Sequence, residues 1–532
     1  MRIIRRMNKC HSNCITLNKL IKFLNVNKSI KIIIYKMFKF CIKSFLISRI
    51  CYISFILLVF RYKFVTKYDL SSDIVTSIET NNENKHISIM EKQILSFLSH
   101  FSSYDAVMFV HISKEKYTND SIFAFFPLFP YLMNGLSKVF SVLGFGNPYT
   151  PYLISGFLLS NFLCLINTIL IASLIYKLTE SRLKSKISAL LFLCNPGAVF
   201  YISIYSENLC FTLQILFILL LISPSTHNSK ILPLSVLILG LLTTRSNCLF
   251  MCAFFVIPCF LAIFEKKKLH ELFDYKSLSF NLSVFIKLVR NKVEIVGKYI
   301  VLCLHAYLVF LWMTKFQPKQ EICSKIKHGI NKNGTKFDQF EKFCLHPIES
   351  KINNIYSYIQ TEYWNVGLLR QISINTLDRV ILSLPMNILA GYVVYKAINY
   401  FEFGYLIRKF HLVKFLLKNK YFISLREKKS NKVNIKEYVR PDYEDDIRLN
   451  SFVLGGLIHL LFMMFVLIFM AHPQINNRLL PGCPILYFFL SDDIILFLKS
   501  GKIYSRGLLI IIFYISFSLL SCIMQVGSYG FA

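Results

Sequence analysis

Residues 152–176 read YLISGFLLSNFLCLINTILIASLIY, with no charge anywhere in the run. About twenty apolar residues in a helix cross the hydrocarbon of a bilayer. Residues 451–470 and 507–524 repeat the pattern. The whole chain agrees with them. Of its 532 residues, 55% are hydrophobic and 17% charged, against about 25% charged in a soluble domain, and the mean hydropathy is +0.50. These values exclude a soluble enzyme, a secreted disulfide scaffold and a disordered chain. The spans must be helices, because only helices and closed barrels satisfy the backbone in lipid. Runs this long are not the roughly ten-residue alternation of a barrel strand.

Working outward, spans fall near 44–60, 152–176, 187–205, 207–223, 231–244, 249–264, 297–313, 379–399, 450–471, 483–498 and 506–527. The sequence therefore predicts an all-α polytopic membrane protein, a bundle of about eleven transmembrane helices. A basic extension, 1–43, precedes a single multi-pass domain, 44–532. Residues 21–41 mix Lys with Ile and Phe and read as an interfacial helix. The run 44–60 reads as an uncleaved signal anchor. Residues 123–143 are apolar but carry Pro127, Pro130 and Gly135. If they spanned, the basic loops 177–186 and 400–440 would face the lumen, so they are expected to re-enter or lie in the interface.

Net charge is +32. Residues 1–49 hold twelve Lys or Arg and no Asp or Glu, and 405–440 hold eleven against two. The positive-inside rule assigns such segments to the cytosol, beside anionic headgroups, and no nucleic-acid partner is expected. The basic loop 400–448 is then cytosolic. The first loop, 61–121, the turns at 205–207 and 245–247, the large loop 314–378 and the segment 472–482 are luminal. Those loops hold most of the unusual polar residues, which predicts an active site at that boundary. Fifteen cysteines are scattered without a CxxC. Cys10 and Cys14 flank His11 but lack a second ligand pair, so no zinc site is expected. Cys323 and Cys344 share the loop 314–378 and pair if it faces an oxidising lumen.

Several candidates stand out in these loops. Asp105 sits in Tyr104-Asp105-Ala106-Val107-Met108-Phe109, an acid before an apolar run; a helix cap is the plainer reading. Tyr117 and Asp120 follow. Ala124-Phe125-Phe126-Pro127-Leu128-Phe129-Pro130 comes next, and its prolines cannot extend a regular helix, which predicts a bent aromatic surface for a lipid chain. Asn195-Pro196-Gly197 breaks an apolar run and frees backbone carbonyls that neighbours or water must satisfy. Glu207 lies beyond it, after Tyr205-Ser206. Arg245, in Thr244-Arg245-Ser246-Asn247, is costly in an apolar setting unless it meets a counter-charge or a phosphate, or snorkels from a short turn. Gln360, Trp364 and Asn365 combine rings with amides, as sugar-binding surfaces and interfacial belts both do. Arg478 closes His472-Pro473-Gln474-Ile475-Asn476-Asn477. P-loop, GxGxxG, HExxH and GxSxG motifs are absent, which weakens nucleotide, zinc-protease and serine-hydrolase readings.

Taken together, Tyr104-Asp105-Ala106 with Phe109, Tyr117 and the segment 124–130 resembles the first luminal loop of the PIG-V family, the GPI mannosyltransferase 2 group. Asn195-Pro196, Tyr205-Ser206-Glu207, Arg245-Ser246-Asn247, Tyr356-Ser357-Tyr358-Ile359-Gln360 and Tyr363-Trp364-Asn365-Val366-Gly367 are similar to further blocks in the family's order, over residues 95–490. The chain departs at Tyr104, where the family favours Trp, at Met108, where it favours His, and at Cys248, where it favours Gly.

The resemblance implies a multi-pass ER enzyme of the GT-C class. It would add the second mannose of the GPI precursor, α-1,6-linked, from dolichyl phosphate mannose with inversion. Inversion needs a base, for which Asp105 is the candidate, and a cation for the leaving phosphate, for which Arg245 and Arg478 are candidates. Tyr104, Tyr117, Asp120, Glu207, Asn247, Gln360, Trp364 and Asn365 are the other substrate-binding candidates. No cofactor and no metal are expected, since no carboxylate pair has metal spacing. The expected partners are dolichyl phosphate mannose, the GPI glycolipid acceptor, the ER membrane and a small accessory membrane subunit. The rivals are another dolichol-linked mannosyltransferase of the class, against which the 363–367 block argues, and a lipid flippase without chemistry.

Overall fold

The computed structural model describes residues 28–62, 73–76, 87–118, 120–223, 227–255, 273–274, 279–280, 282–327, 343–344, 352, 354–370, 377–400, 443–471, 475–501 and 505–526. It is helical almost throughout. The helices used below are α1 (Lys28–Arg61), α2 (Ile89–Ser99), α3 (Asp105–Glu115), α4 (Leu128–Ser141), α5 (Thr150–Thr179), α6 (Arg182–Leu193), α7 (Glu207–Leu221) and α8 (His227–Thr244). They continue with α9 (Leu282–Leu311), α10 (Gln317–Lys327), α11 (Ile355–Trp364), α12 (Leu377–Tyr400), α13 (Tyr443–Phe469), α14 (Asn476–Leu479), α15 (Pro484–Ser500) and α16 (Arg506–Val526). A two-residue antiparallel ladder pairs Phe273 with Phe280.

Among the described residues, six helices are long and apolar enough to cross a membrane: Tyr35–Arg61, Thr150–Thr179, Val293–Ser324, Arg379–Tyr400, Arg448–Phe469 and Arg506–Met524. A seventh is counted if Asn476–Gly482 and Pro484–Ser500, bent by 85°, form one broken span. The chain is an all-α polytopic membrane protein. Among the described residues, eleven full spans do not appear; residues 256–264 of the expected span 249–264 lie outside them. The runs at 187–205, 207–223 and 231–244 become α6, α7 and α8, of 12, 15 and 18 residues. At 1.5 Å per residue, the first two fall short of a core about 30 Å thick. Asn195-Pro196 ends α6 before it can span. The run 249–264 begins as a 3-10 turn, Ser246–Phe255. The amino terminus also differs from expectation. The interfacial helix and the signal anchor are joined in one helix, α1, Lys28–Arg61.

Residues 123–143 do not span. Pro127 caps α4, and Pro130 sits in its first turn, where the missing N–H costs nothing. The prolines thus open a helix instead of preventing one. At 14 residues α4 is too short to cross, and it packs along α5.

Helix α5 is the hub, with α4, α6 and α7 against it. Its apolar residues run all round, because one side meets protein and the other lipid. Its amides are spent on the broken segment between α6 and α7. Asn161 donates to the Ile202 carbonyl at 2.9 Å and Asn167 to that of Asn208 at 2.9 Å. Asn208 in turn donates to the carbonyls of Ser160 and Tyr201, each at 2.9 Å. Buried polar groups left unpaired cost about 1–3 kcal/mol apiece, so these bonds are what lets irregular backbone sit at this depth. Buried Glu91 of α2 ties the first loop to the head of α5. It accepts from the Gly146 and Asn147 N–H groups at 2.8 and 2.9 Å and from the Thr150 hydroxyl at 2.8 Å.

Candidate active site

Four segments meet at one end of the bundle. The first is the stretch before α3. Ile204 N–H donates to the Phe101 carbonyl at 3.1 Å, and the Tyr205 hydroxyl donates to that of Ser103 at 3.0 Å. These bonds place Asp105 beside Glu207, the first residue of α7. Tyr104 between them has φ +55°, a region that bulky residues rarely enter and that concentrates at functional sites. The cap reading of Asp105 fails here. It is already the first helical residue, and Tyr104 at the cap makes no side-chain cap bond.

The third segment starts where α8 stops. Arg245 closes its last turn and reaches Glu207. The fourth is α14. Pro481-Gly482-Cys483-Pro484 cannot continue a helix, so the chain turns sharply and leaves the short α14 inside the bundle. Asn476 donates to the Asn387 side chain at 2.9 Å and Asn477 to the Leu382 carbonyl at 3.2 Å. Gly197 completes the seat. A Cβ there would stand 2.6 Å from the Asn477 carbonyl oxygen and 3.4 Å from Arg478 Cα. Only glycine lets the 195–197 turn press on the backbone that carries Arg478.

The result is an alternating chain of charges. Arg478 Nη1 donates to Asp105 Oδ2 at 2.5 Å, and its Nε donates to Glu207 Oε1. Arg245 Nη1 donates to the same Glu207 oxygen at 2.5 Å, and to Ser206 Oγ at 3.3 Å. Its Nε donates to Asn247 Oδ1 at 3.3 Å. Side-chain exposure falls from 31% at Asp105 and 18% at Arg245 to 5% at Arg478 and 3% at Glu207. The Arg478 guanidinium also lies 4.6 Å from the Tyr205 ring centre and 5.4 Å from that of Phe200. So Asp105 faces outward while Arg478 and Glu207 are enclosed. Arg478 Nη2 and Glu207 Oε2 are buried with no hydrogen-bond partner. A guanidinium with a spare donor, beside an exposed carboxylate, can hold an anion while the carboxylate accepts a proton.

The remaining candidates surround this cluster at different distances. Tyr356 of α11 shares a hydrogen bond of 2.7 Å with Ser246, and its ring lies 5.6 Å from Phe126. Burial raises its phenol above the usual tyrosine range, against the pull of the Ser246 bond, so it remains a neutral partner. Thus α11 bridges the Arg245 turn and the aromatic-proline segment. Trp364, at its far end, meets Phe125 edge-on at 6.0 Å, and Asn365 adopts a left-handed C-cap. Asn365 N–H and Val366 N–H both donate to the Gln360 carbonyl. Tyr117 is buried, stacks on Phe123 at 4.9 Å and donates to the Phe125 carbonyl at 2.7 Å, bracing its own loop. Asp120 starts a 3-10 turn, Asp120–Ala124; its side chain lies outside the described residues, as do His472 and Gln474. Cys323 and Cys344 form a disulfide, with Cα atoms 5.5 Å apart. His459 and Gln214 also line the cleft below Arg478. Each is a polar residue within an uncharged apolar run, a signal too common in membrane helices to mark a site by itself.

The fold and the site are those of a polytopic membrane protein with a paired Arg–carboxylate cluster at one end of its helical bundle. The mannosyltransferase (PIG-V) family matches residues 39–531, and the chain belongs to that family; it is a glycosyltransferase. The chain is similar to GPI mannosyltransferase 2 of Drosophila melanogaster, 22% identical over 84% of this chain and 91% of the relative. It is 24% identical to GPI mannosyltransferase 2 of Drosophila pseudoobscura pseudoobscura, over 56% of this chain and 63% of that one. For GPI mannosyltransferase 2 of Kluyveromyces lactis, identity is 23% over 58% and 57%.

Proposed function

We propose that this mannosyltransferase adds the second mannose, through an α-1,6 bond, to the GPI precursor. The donor is dolichyl phosphate mannose, the reaction inverts the anomeric carbon, and it takes place on the luminal side of the ER membrane. The observation that carries the chemistry is the guanidinium of Arg478 held between Asp105 and Glu207. The printed names of the relatives support the acceptor class.

In this reading Asp105 takes the proton of the acceptor hydroxyl. Its exposure lets a water-borne glycan head reach it. The hydroxyl oxygen attacks the anomeric carbon of the donor, and the dolichyl phosphate leaves. Arg478 meets that phosphate through its unpaired Nη2. Arg245 pairs with Glu207 and holds it in place, and is the second cation near the leaving group. A phosphate arriving on Arg478 competes with Asp105 for the same guanidinium, which frees the carboxylate to meet the acceptor hydroxyl. The countercharge is assigned to arginine; no metal or cofactor enters the reading. The segment 125–130 and α4 offer an apolar flank for the dolichol.

The orientation follows the same logic. The Cys323–Cys344 disulfide suits an oxidising lumen and supports loops 61–121 and 314–378 there, with 1–43 and 400–448 cytosolic. The proposed partners are the two lipid substrates and the ER membrane, with a small accessory membrane subunit. Complementation of cells lacking the second GPI mannosyltransferase tests the reading. Recovery of GPI-anchored protein at the surface is expected. No recovery, with the protein present in the ER, would point to another dolichol-linked transferase or to a flippase.

A further inference from the structure

Two cysteines sit beside the charge cluster, one on each of two elements that carry it. Cys210 lies one helical turn past Glu207 on α7, and Cys248 lies three residues past Arg245, in the 3-10 turn Ser246–Phe255. That turn packs against α7. Both cysteines are buried, and their Sγ atoms are 2.8 Å apart. The Glu207–Arg245 ion pair joins the same two stretches of chain.

Nothing in the proposed mechanism uses these thiols. A thiol is a weak donor and a weak acceptor, so a single S–H···S bond is a poor reason for two sulfurs to approach so closely. A disulfide holds its sulfurs about 2 Å apart, less than ~1 Å from where these stand. The other buried thiols behave differently. Cys164 Sγ accepts from Arg49 at 2.9 Å, and Cys41 donates to the Thr168 carbonyl at 3.7 Å. Position favours the pair as well. Cys210 and Cys248 lie about one turn from the end of the bundle that the Cys323–Cys344 disulfide ascribes to an oxidising compartment.

We propose that Cys210 and Cys248 are joined by a disulfide that ties the turn carrying Arg245 to the helix carrying Glu207. The inference rests on the luminal orientation proposed above. The oxidant is a disulfide of the lumen, borne by a small thiol or by a protein. One cysteine attacks it as the thiolate and forms a mixed disulfide, which the second cysteine then displaces. The S–S bond forms, the two thiols give up two protons and two electrons, and the oxidant's disulfide is reduced to two thiols that take them up. The finished pair is enclosed, so the exchange belongs to assembly, before the turn closes over α7. The bond spans 38 positions of chain and fixes where the chain returns after α8.

Membranes containing the full chain would be dissolved in denaturant with N-ethylmaleimide, then reduced and treated with its deuterated form. Mass spectrometry should find the deuterated label on Cys210 and Cys248, as on Cys323 and Cys344, and the light label on Cys41 and Cys164. Without reduction, the peptides bearing Cys210 and Cys248 should appear as one linked species. Cys210→Ser and Cys248→Ser should each release the other cysteine to the light label and lower the melting temperature in detergent. Should either variant fail to accumulate, the labelling of the wild-type chain still decides. Light label on Cys210 and Cys248, beside deuterated Cys323 and Cys344, would leave a hydrogen-bonded thiol pair and overturn this inference alone. Light label on all four would overturn the luminal orientation with it. A wild-type melting temperature in both serine variants would overturn the tying role.

Discussion

Arg478 and Asp105 are 373 positions apart in the chain and 2.5 Å apart in space. The same guanidinium holds Glu207, so one side chain fixes both carboxylates of the site. Arg478 has two duties: it compensates a buried acid and it keeps a donor spare. Arg478→Ala would strip Glu207 of one of its two cations. Breaking a buried pair from one side costs about 3–5 kcal/mol. The variant should therefore melt earlier in detergent and lose turnover. Arg478→Lys keeps the charge but not the fork geometry, and should recover stability more than activity. Equal melting of Arg478→Ala and wild type would show that the pair contributes nothing to the fold.

Arg245 shares Glu207 from the opposite side but is more exposed. Arg245→Ala leaves Glu207 paired with Arg478, so its stability cost should be the smaller of the two. Activity should fall through weaker donor binding, and Arg245→Lys should restore part of it. Donor titrations of the two variants against wild type read this directly; an unchanged donor dependence in Arg245→Ala would assign the residue to packing.

Gly197 faces the Arg478 backbone so closely that a methyl group cannot fit without movement. Gly197→Ala should displace α14 and lower turnover by about tenfold or more, since misplacement of about 1 Å at a reacting centre costs up to ~10²-fold. It touches no substrate group. Wild-type kinetics in this variant would mean that the turn yields without disturbing Arg478.

The site's orientation is tested by glycosylation. Asn119-Asp120-Ser121 and Asn333-Gly334-Thr335 are sequons in the loops assigned to the lumen, and Asn281-Leu282-Ser283 lies in the segment 265–296, which the charge bias assigns to the cytosol. A glycosidase shift is expected for Asn333, and none for Asn281. Sugar on Asn281 would invert the topology. Asn119 stands four residues before the apolar run 123–143 in the chain, so its modification does not decide the matter.

Much of this was readable from the chain, for physical reasons that also set its limits. Long uncharged runs announce spans, because lipid leaves a polar side chain few alternatives. Asn195-Pro196-Gly197 announced its break by removing a helical donor and adding freedom. Tyr104-Asp105, Glu207, Arg245 and Arg478 were visible as polar residues at the edges of apolar runs. Their pairing was not, because contacts between residues hundreds of positions apart leave no local periodicity. The described residues show fewer full spans than the eleven expected, because hydropathy does not distinguish α7, short and enclosed by protein, from a helix that faces lipid. The same blindness hid His459 and Gln214, since a single polar residue in an apolar run looks alike whether it packs, holds water or meets a ligand. Pro127 and Pro130 misled for another reason: a helix tolerates proline in its first turn.

The most direct measurement concerns Asp105. Its side chain caps nothing and is the exposed end of the charge cluster. Asp105→Asn keeps the shape and removes the base, while Arg478 remains paired with Glu207. Microsomes containing the variant, supplied with dolichyl phosphate mannose and singly mannosylated GPI acceptor, should form product about 10²–10⁴-fold more slowly than wild type, at an unchanged protein level. Product at the wild-type rate would contradict the account, leaving Asp105 as a mere counter-ion of Arg478.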